Sequence, residues 1–274
     1  MKIRTASAAA ALLWLALPAA ANAQDTQENQ PPAWTPPRML VLAHQEIKSG
    51  KAAERRQLEI SSARAFDRLE VPVHFVVMQG LTGTGDSLAL DPFDSYADIE
   101  KAVKALGSLY AAHPEVNRIQ QSIDELIAGS KTVIAILRDD LSPRAVEADE
   151  SKARFMRVTV IHLRPGREAD FSDTGSQAPS LVYQVEAGTS EPTLIILEPM
   201  HKLEEADAAR APEASEKVQA AIVSRESNLY MISPEMSHVG KAFAAGDPGF
   251  WSVAPEGKKA SASNEAKKSP PTQR

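Results

Sequence analysis

The sequence predicts an α+β chain in which two tandem ferredoxin-like repeats close on each other as an intrachain, pseudo-dimeric α/β barrel. Three observations carry this. First, a strand-to-helix motif occurs twice. Leu40-Val-Leu-Ala-His-Gln-Glu-Ile-Lys-Ser-Gly-Lys-Ala-Ala-Glu54 is matched by Arg157-Val-Thr-Val-Ile-His-Leu-Arg-Pro-Gly-Arg-Glu-Ala-Asp170, with Gly50 on Gly166. Second, later blocks repeat in the same order: Val71–Thr82 on Ala178–Thr189, Leu88–Phe93 on Ile195–Met200, and Ser130–Ile136 on Glu226–Ile232. Third, strands such as Val76-Val-Met and Val133-Ile-Ala-Ile-Leu are apolar on both faces. Helices can cover one face of such a sheet, so a second sheet must cover the other.

The first repeat opens with a strand over Met39–Ile47. Lys48-Ser-Gly-Lys51 then turns the chain into a helix, with Ser49 expected as its N-cap. Leu58, Ala65, Phe66 and Leu69 give that helix an apolar stripe, and Pro72 ends it. Val73–Gln79 and Leu88–Asp91 are strands joined by the glycine-containing loop Leu81–Asp86. Ser95 with Asp98 resembles a capping box, opening a helix whose buried positions should be Ile99, Val103, Leu106 and Tyr110. His113-Pro114 breaks it. A further helix carries Val116, Ile119, Ile123, Leu126 and Ile127 and stops at Gly129. Thr132–Leu137 is the fourth strand.

The second repeat keeps the strands, over Phe155–Leu163, Leu181–Glu186, Thr193–Leu197 and Leu229–Ile232. It is shorter by nine residues between its first two strands and by eleven before its last, so its helices are cut down; one helix is expected over Glu213–Arg225. Strand–helix–strand–strand–helix–strand is the split βαβ plan. The boundaries are a first repeat over 38–142, a charged inter-repeat linker over 143–154 and a second repeat over 155–254. Ser237–Ala245 is expected as a short helix, and Pro248-Gly-Phe-Trp251 as an aromatic plug.

The flanks belong to other classes. Residues 1–23 read as a secretory signal peptide: Lys2 and Arg4, an apolar run, then Ala21-Asn-Ala23 as a cleavage site. The mature protein is therefore expected to be exported, periplasmic or extracellular, with no membrane span left after cleavage. Residues 24–37 form a Pro-rich linker, with Trp34 able to tuck against the domain. Residues 255–274 are too poor in large apolar side chains to pack and are expected to be disordered. With no Cys, disulfides and thiolate metal sites are excluded. A formal charge of −6 argues against a nucleic-acid partner.

The recognisable catalytic motifs are missing. The six histidines include no HExxH pair, no metal site is expected, and no G-x-S-x-G elbow is present. Thr82-Gly-Thr-Gly-Asp86 joins two strands rather than opening a helix, so it is not a phosphate loop. Asp91, Asp94 and Asp98 lack the glycine and closing glutamate of a calcium loop. His44, His74 and His162 lie on predicted strands that could point into the barrel.

The paired Gly50 and Gly166 motifs and the Asp91-Pro-Phe-Asp-Ser-Tyr-Ala-Asp98 run resemble the dimeric α/β-barrel superfamily. So do Glu226-Ser-Asn-Leu-Tyr230, Ser233-Pro-Glu-Met-Ser-His238 and Ala245-Gly-Asp-Pro-Gly-Phe-Trp251. Within that superfamily the chain is similar to tandem secreted members of unassigned function, close to NIPSNAP and antibiotic-biosynthesis monooxygenase domains. The resemblance spans roughly residues 38–252 and implies a fold more than an activity. One expectation is a module that binds a small apolar or aromatic ligand or a partner, without a cofactor; a monomer suffices, since a fused pair closes its own barrel. The alternative is a cofactor-independent oxygenase or lyase, with His74, His162 or Tyr183 as catalytic candidates. Some relatives hold haem through a histidine, which would make His201 and His238 the cofactor candidates.

Overall fold

The computed structural model of the protein describes residues 34–83, 85–172, 178–208 and 215–252. The expected signal peptide, most of the Pro-rich linker and the C-terminal tail lie outside the described residues.

The first half of the fold holds β1 (Met39–Ile47), α1 (Ala52–Arg68), β2 (Val76–Gly80), β3 (Ser87–Phe93), α2 (Tyr96–Ala112), α3 (Pro114–Asp124) and β4 (Ile127–Leu137). The second holds β5 (Phe155–Leu163), β6 (Leu181–Ala187), β7 (Thr193–Met200), α4 (Glu205–Ala208), α5 (Glu216–Ala221) and β8 (Ile222–Ile232). Two short helices, α6 (Lys241–Ala244) and α7 (Pro248–Trp251), come after β8. No helix among the described residues is long and apolar enough to cross a membrane.

All eight strands close into one antiparallel barrel in the order β1-β3-β2-β8-β5-β7-β6-β4. Closure removes the sheet edges that would otherwise present unpaired backbone groups. The β2–β8 seam runs from Met78–Ile232 to Gly80–Tyr230, and the β4–β6 seam from Ile134–Ala187 to Leu137–Tyr183. The order β4-β1-β3-β2 on one side of these seams is repeated as β8-β5-β7-β6 on the other.

Alternation along the strands places one set of side chains inside. Leu40, Leu42, Met78, Leu90, Met156 and Leu197 belong to the interior cluster, each at most 5 % exposed. Burying such a side chain stabilises by roughly 1.5–3 kcal/mol, so this filling dominates the barrel's stability. The other face of the first half packs under its helices, through Phe66, Val71, Ala102 and Val116. In the second half Ile161, Val182 and Ile196 pack under α5 and Phe171.

One end of the barrel is sealed. α7 puts Trp251 into the interior cluster, where its indole N–H donates to the Ser151 carbonyl at 2.6 Å. Phe243 and Phe250 stand edge-on to that ring at 5.1 and 5.0 Å. Arg154 stacks on Phe250 and pairs with Asp247. Trp34 also packs here, and the Pro37 carbonyl accepts from the Tyr183 hydroxyl at 3.0 Å.

Several local expectations are corrected. Ser49 does not cap α1; Lys51 occupies the N-cap and makes no side-chain bond. Ser95 does cap α2, accepting from the Asp98 amide. Val103 is 64 % exposed, and Ala102 takes the buried position beside it. Gly129 does not end a helix: it lies inside β4 opposite Glu46. Residues 143–154, expected as an inter-repeat linker, carry structure of their own. Short 3-10 turns at Ala145–Glu147 and Glu150–Lys152 bury Ala148, Glu150, Ser151 and Ala153 against the sealed end. β8 begins at Ile222, so α5 ends where the longer helix was expected to continue.

Both motif glycines keep their predicted place. Gly50 and Gly166 have φ of +76° and +80°, each inside a turn closed by Lys51 N–H to Lys48 O and Arg167 N–H to Arg164 O. A side chain would strain that backbone. Along the β1–β4 and β5–β8 ladders Gln45 faces Ser130 and Ile161 faces Arg225, which sets Ser130 on Arg225, whereas across the seams Gly80 faces Tyr230 and Ala187 faces Ile134, which sets Ser130 on Glu226.

Candidate functional site

The end opposite the tryptophan plug is open. β1 and β5 both run from the sealed end towards it, so their later residues, His44 and His162, arrive at the mouth. A cavity of about 210 Å³ sits there. Its apolar lining includes Leu42, Leu88, Val133, Val158, Val185 and Ile195, contributed by six strands. Its polar lining includes His44, Lys131, His162, Thr193, Glu226 and Asn228. Tyr230 joins the two zones.

The polar groups are organised by the ladder. His44 lies opposite Leu88 on one side and Lys131 on the other. The β2–β3 loop brings Asp86 back over His44, whose Nε2 is 2.8 Å from Asp86 Oδ2. The side chains are 37 % and 15 % exposed, so the pair sits at the solvent boundary. The backbone of the same loop docks on β8: the Leu81 and Thr82 amides donate to the Leu229 carbonyl. His162 Nδ1 is 3.0 Å from Thr193 Oγ1. Asn228 donates to Glu226 at 2.7 Å. Burial, then Asp86 and Glu226, push the Tyr230 phenol up to about 12, so it stays protonated at neutral pH.

The ladder also shows which positions correspond between the halves. Val160 lies opposite Ile195 and Glu226, as His44 lies opposite Leu88 and Lys131. His44 therefore has Val160 as its counterpart, and Lys131 has Glu226. The mouth is polar in a different sense on its two sides.

Of the three strand histidines expected to point inward, His44 and His162 line this cavity, and of the other candidates none does. His74 precedes β2 and lies outside the barrel, stacked on His238 at 5.4 Å. Burial, then neighbouring His238, hold its pKa below the ordinary histidine value. Tyr183 faces the interior, but its hydroxyl is committed to Pro37 near the sealed end, and burial pushes its pKa up. His201 is exposed beside a separate surface pocket that Asp149 and Lys152 also line. His238 is buried, with Nδ1 at 2.5 Å from Asp67 and Nε2 at 2.9 Å from the Val71 carbonyl.

The residues present do not fit haem. Both ring nitrogens of His238 are already engaged, His201 lies elsewhere on the surface, and neither lines the cavity. The cavity itself is smaller than the roughly 300–1,000 Å³ that drug-sized ligands occupy. Among the described residues no group of three or more His, Asp or Glu could hold a metal ion.

The His44–Asp86 contact is not legible as a motif. Its partners are 42 residues apart and share no recognisable pattern. The β1–β3 pairing was the available signal, because a strand beginning next to Leu88 on the partner of His44 leaves Asp86 at its entrance.

No protein-family model matches the chain, and no curated protein matches it. Solved structures do. The fold is similar to that of an anthrone oxidase-like protein, at 16 % identity and a TM-score of 0.50, covering 71 % of this chain and 91 % of that one. A monooxygenase-like protein from Lactobacillus acidophilus NCFM matches at 9 % identity and a TM-score of 0.46, covering 73 % and 95 %. A chlorite dismutase from Candidatus Nitrospira defluvii matches at 8 % and 0.48, covering 73 % and 94 %. At these identities the likeness is one of fold, and the fold is the dimeric α/β barrel, closed here within a single chain.

Proposed function

We propose that the protein is an exported, monomeric pair of ferredoxin-like repeats that binds a small amphipathic ligand in the open mouth of its barrel. The observation that carries this is the cavity's division into an apolar and a polar lining at one end of an otherwise filled and plugged interior. Its volume sets the ligand class. A cavity of about 150 Å³ takes benzene, so about 210 Å³ takes one substituted ring. The repeated strand order and the motif glycines support the tandem-repeat reading.

The test is thermal shift with native mass spectrometry, using matched one-ring and three-ring phenols, on the wild type and on Val158→Trp, which fills the cavity. One-ring phenols should raise the Tm of the wild type and not of the variant. Equal shifts in both proteins would place binding elsewhere and defeat the reading.

A second reading, cofactor-independent oxygenase or lyase chemistry, is favoured by one observation: His162 and a protonated Tyr230 line the same cavity as the His44–Asp86 pair. Turnover of a one-ring substrate that survives His162→Ala unchanged would remove His162 from that chemistry.

A further inference from the structure

We propose that His44 is a proton acceptor for the ligand, with Asp86 as its positioning residue and Lys131 as the counter-ion of the anion formed. The ligand class is then a one-ring compound carrying one weakly acidic O–H, such as a phenol or an enol. This rests on the ligand-binding reading of the cavity.

The argument begins with the tautomer. A carboxylate only accepts, so the 2.8 Å contact with Asp86 Oδ2 puts the ring proton of neutral His44 on Nε2. Nδ1 is then the lone-pair nitrogen, on a side chain that lines the cavity. A carboxylate behind an imidazole holds one tautomer, fixes the ring and stabilises the imidazolium that forms. Lys131 is the residue directly across the ladder from His44 and lines the same cavity. Cross-strand neighbours stand about 4.5–5.5 Å apart at Cβ, within reach of one ligand oxygen.

The step balances without a further reactant. The ligand O–H bond breaks as the Nδ1–H bond forms. The electron pair stays on oxygen, giving a phenolate or enolate beside the Lys131 ammonium and an imidazolium beside Asp86. The other ionisable groups at the mouth are His162, Glu226 and Tyr230. Glu226 is held by Asn228 on the opposite half of the barrel, and its charge opposes an anion placed on its side. That leaves the His44 side for the acidic group, with the ring against Leu42, Leu88 and Val133.

The probe is 4-nitrophenol, whose anion absorbs in the visible while the neutral phenol does not. Equilibrium dialysis measures its binding whatever its charge, and the spectrum of the bound probe reports its protonation across a pH series. The bound probe should ionise at a pH about one unit or more below the free probe, at least a tenfold change in proton affinity. His44→Gln should remove most of the shift while keeping binding, leaving the part that the Lys131 ammonium supplies. Asp86→Asn and Lys131→Met should each remove part of the shift. A bound probe that titrates like the free one, or a shift unchanged in His44→Gln, overturns the proposal and leaves the binding reading intact. Failure of the wild type to bind one-ring phenols at all defeats both. If His44→Gln fails to fold, as circular dichroism would show, the Lys131→Met titration decides.

Discussion

The two ends of the barrel are built from the same strands and the same alternation, yet one is solid and the other hollow. At the sealed end Leu40, Met156, Tyr183 and Leu197 fill the interior and Trp251 closes it. At the mouth the inward positions become Val160, Thr193, Lys131 and Asn228, and space remains between them. The difference lies in the segments outside the strands. The 3-10 turns before β5 and α7 after β8 meet at one end only, through the Trp251–Ser151 bond. That end bears the packing, and the other is left for a ligand.

The comparison is broken most directly at the plug. Trp251→Ala should destabilise by about 3–5 kcal/mol in urea unfolding followed by circular dichroism, through a large void and an orphaned Ser151 carbonyl. A loss under about 1 kcal/mol would mean that the sealed end does not carry the core.

The next test uses two residues on one strand. Leu197 is fully buried towards the plug and Ile195 lines the cavity. Leu197→Ala should cost about 2–5 kcal/mol, and Ile195→Ala clearly less, because its neighbours already border open space. Equal costs would show a mouth packed like the base.

Glu150 sharpens the contrast through pH. It is buried in the 3-10 turn beside the plug, and its Oε1 has no partner. Burial, then the charge of Asp149, push its carboxyl up to about 8 from the ordinary 4.5. The folded protein thus keeps a proton that the unfolded chain releases. Stability from this group is full below about pH 4.5 and falls as pH rises towards 8. Glu150→Gln should therefore gain in Tm over the wild type between about pH 5 and pH 9, by several degrees. A gap that stays constant with pH would place the titration elsewhere.

The smallest expected effect is at the mouth. Gly188 has φ +99°, and a Cβ there would stand 2.4 Å from the Thr132 carbonyl oxygen. Gly188→Ala should cost at least about 1 kcal/mol by strain at the β4–β6 seam. Its readout is a lower Tm together with weaker one-ring ligand binding.

Much of the barrel could be read from residues alone. Apolar runs bounded by Gly and Pro gave β1 and β5 their observed limits, and the paired glycines fall at equivalent turns. What escaped was register. β4 and β8 each carry a bulge, opposite Glu46/Ile47 and His162/Leu163, and an extra bulged residue leaves no mark in a hydrophobic pattern. Lys131 and Glu226 reach equivalent places at the mouth only through their pairing with His44 and Val160, which no pattern along a single strand displays. The site was legible in part. His44 and His162 on strands were visible, whereas Asp86 reaches His44 only through lateral pairing, and Tyr183 is taken by Pro37 from a segment read as linker.

A barrel assembled from two identical chains would show every rim residue twice, and a bound ring could be turned half a revolution without noticing. Here His44 answers Val160 and Lys131 answers Glu226. The opening therefore has no two-fold symmetry: the two placements of a planar guest related by a half turn meet different groups, an imidazole and an ammonium in one, a valine and a carboxylate in the other.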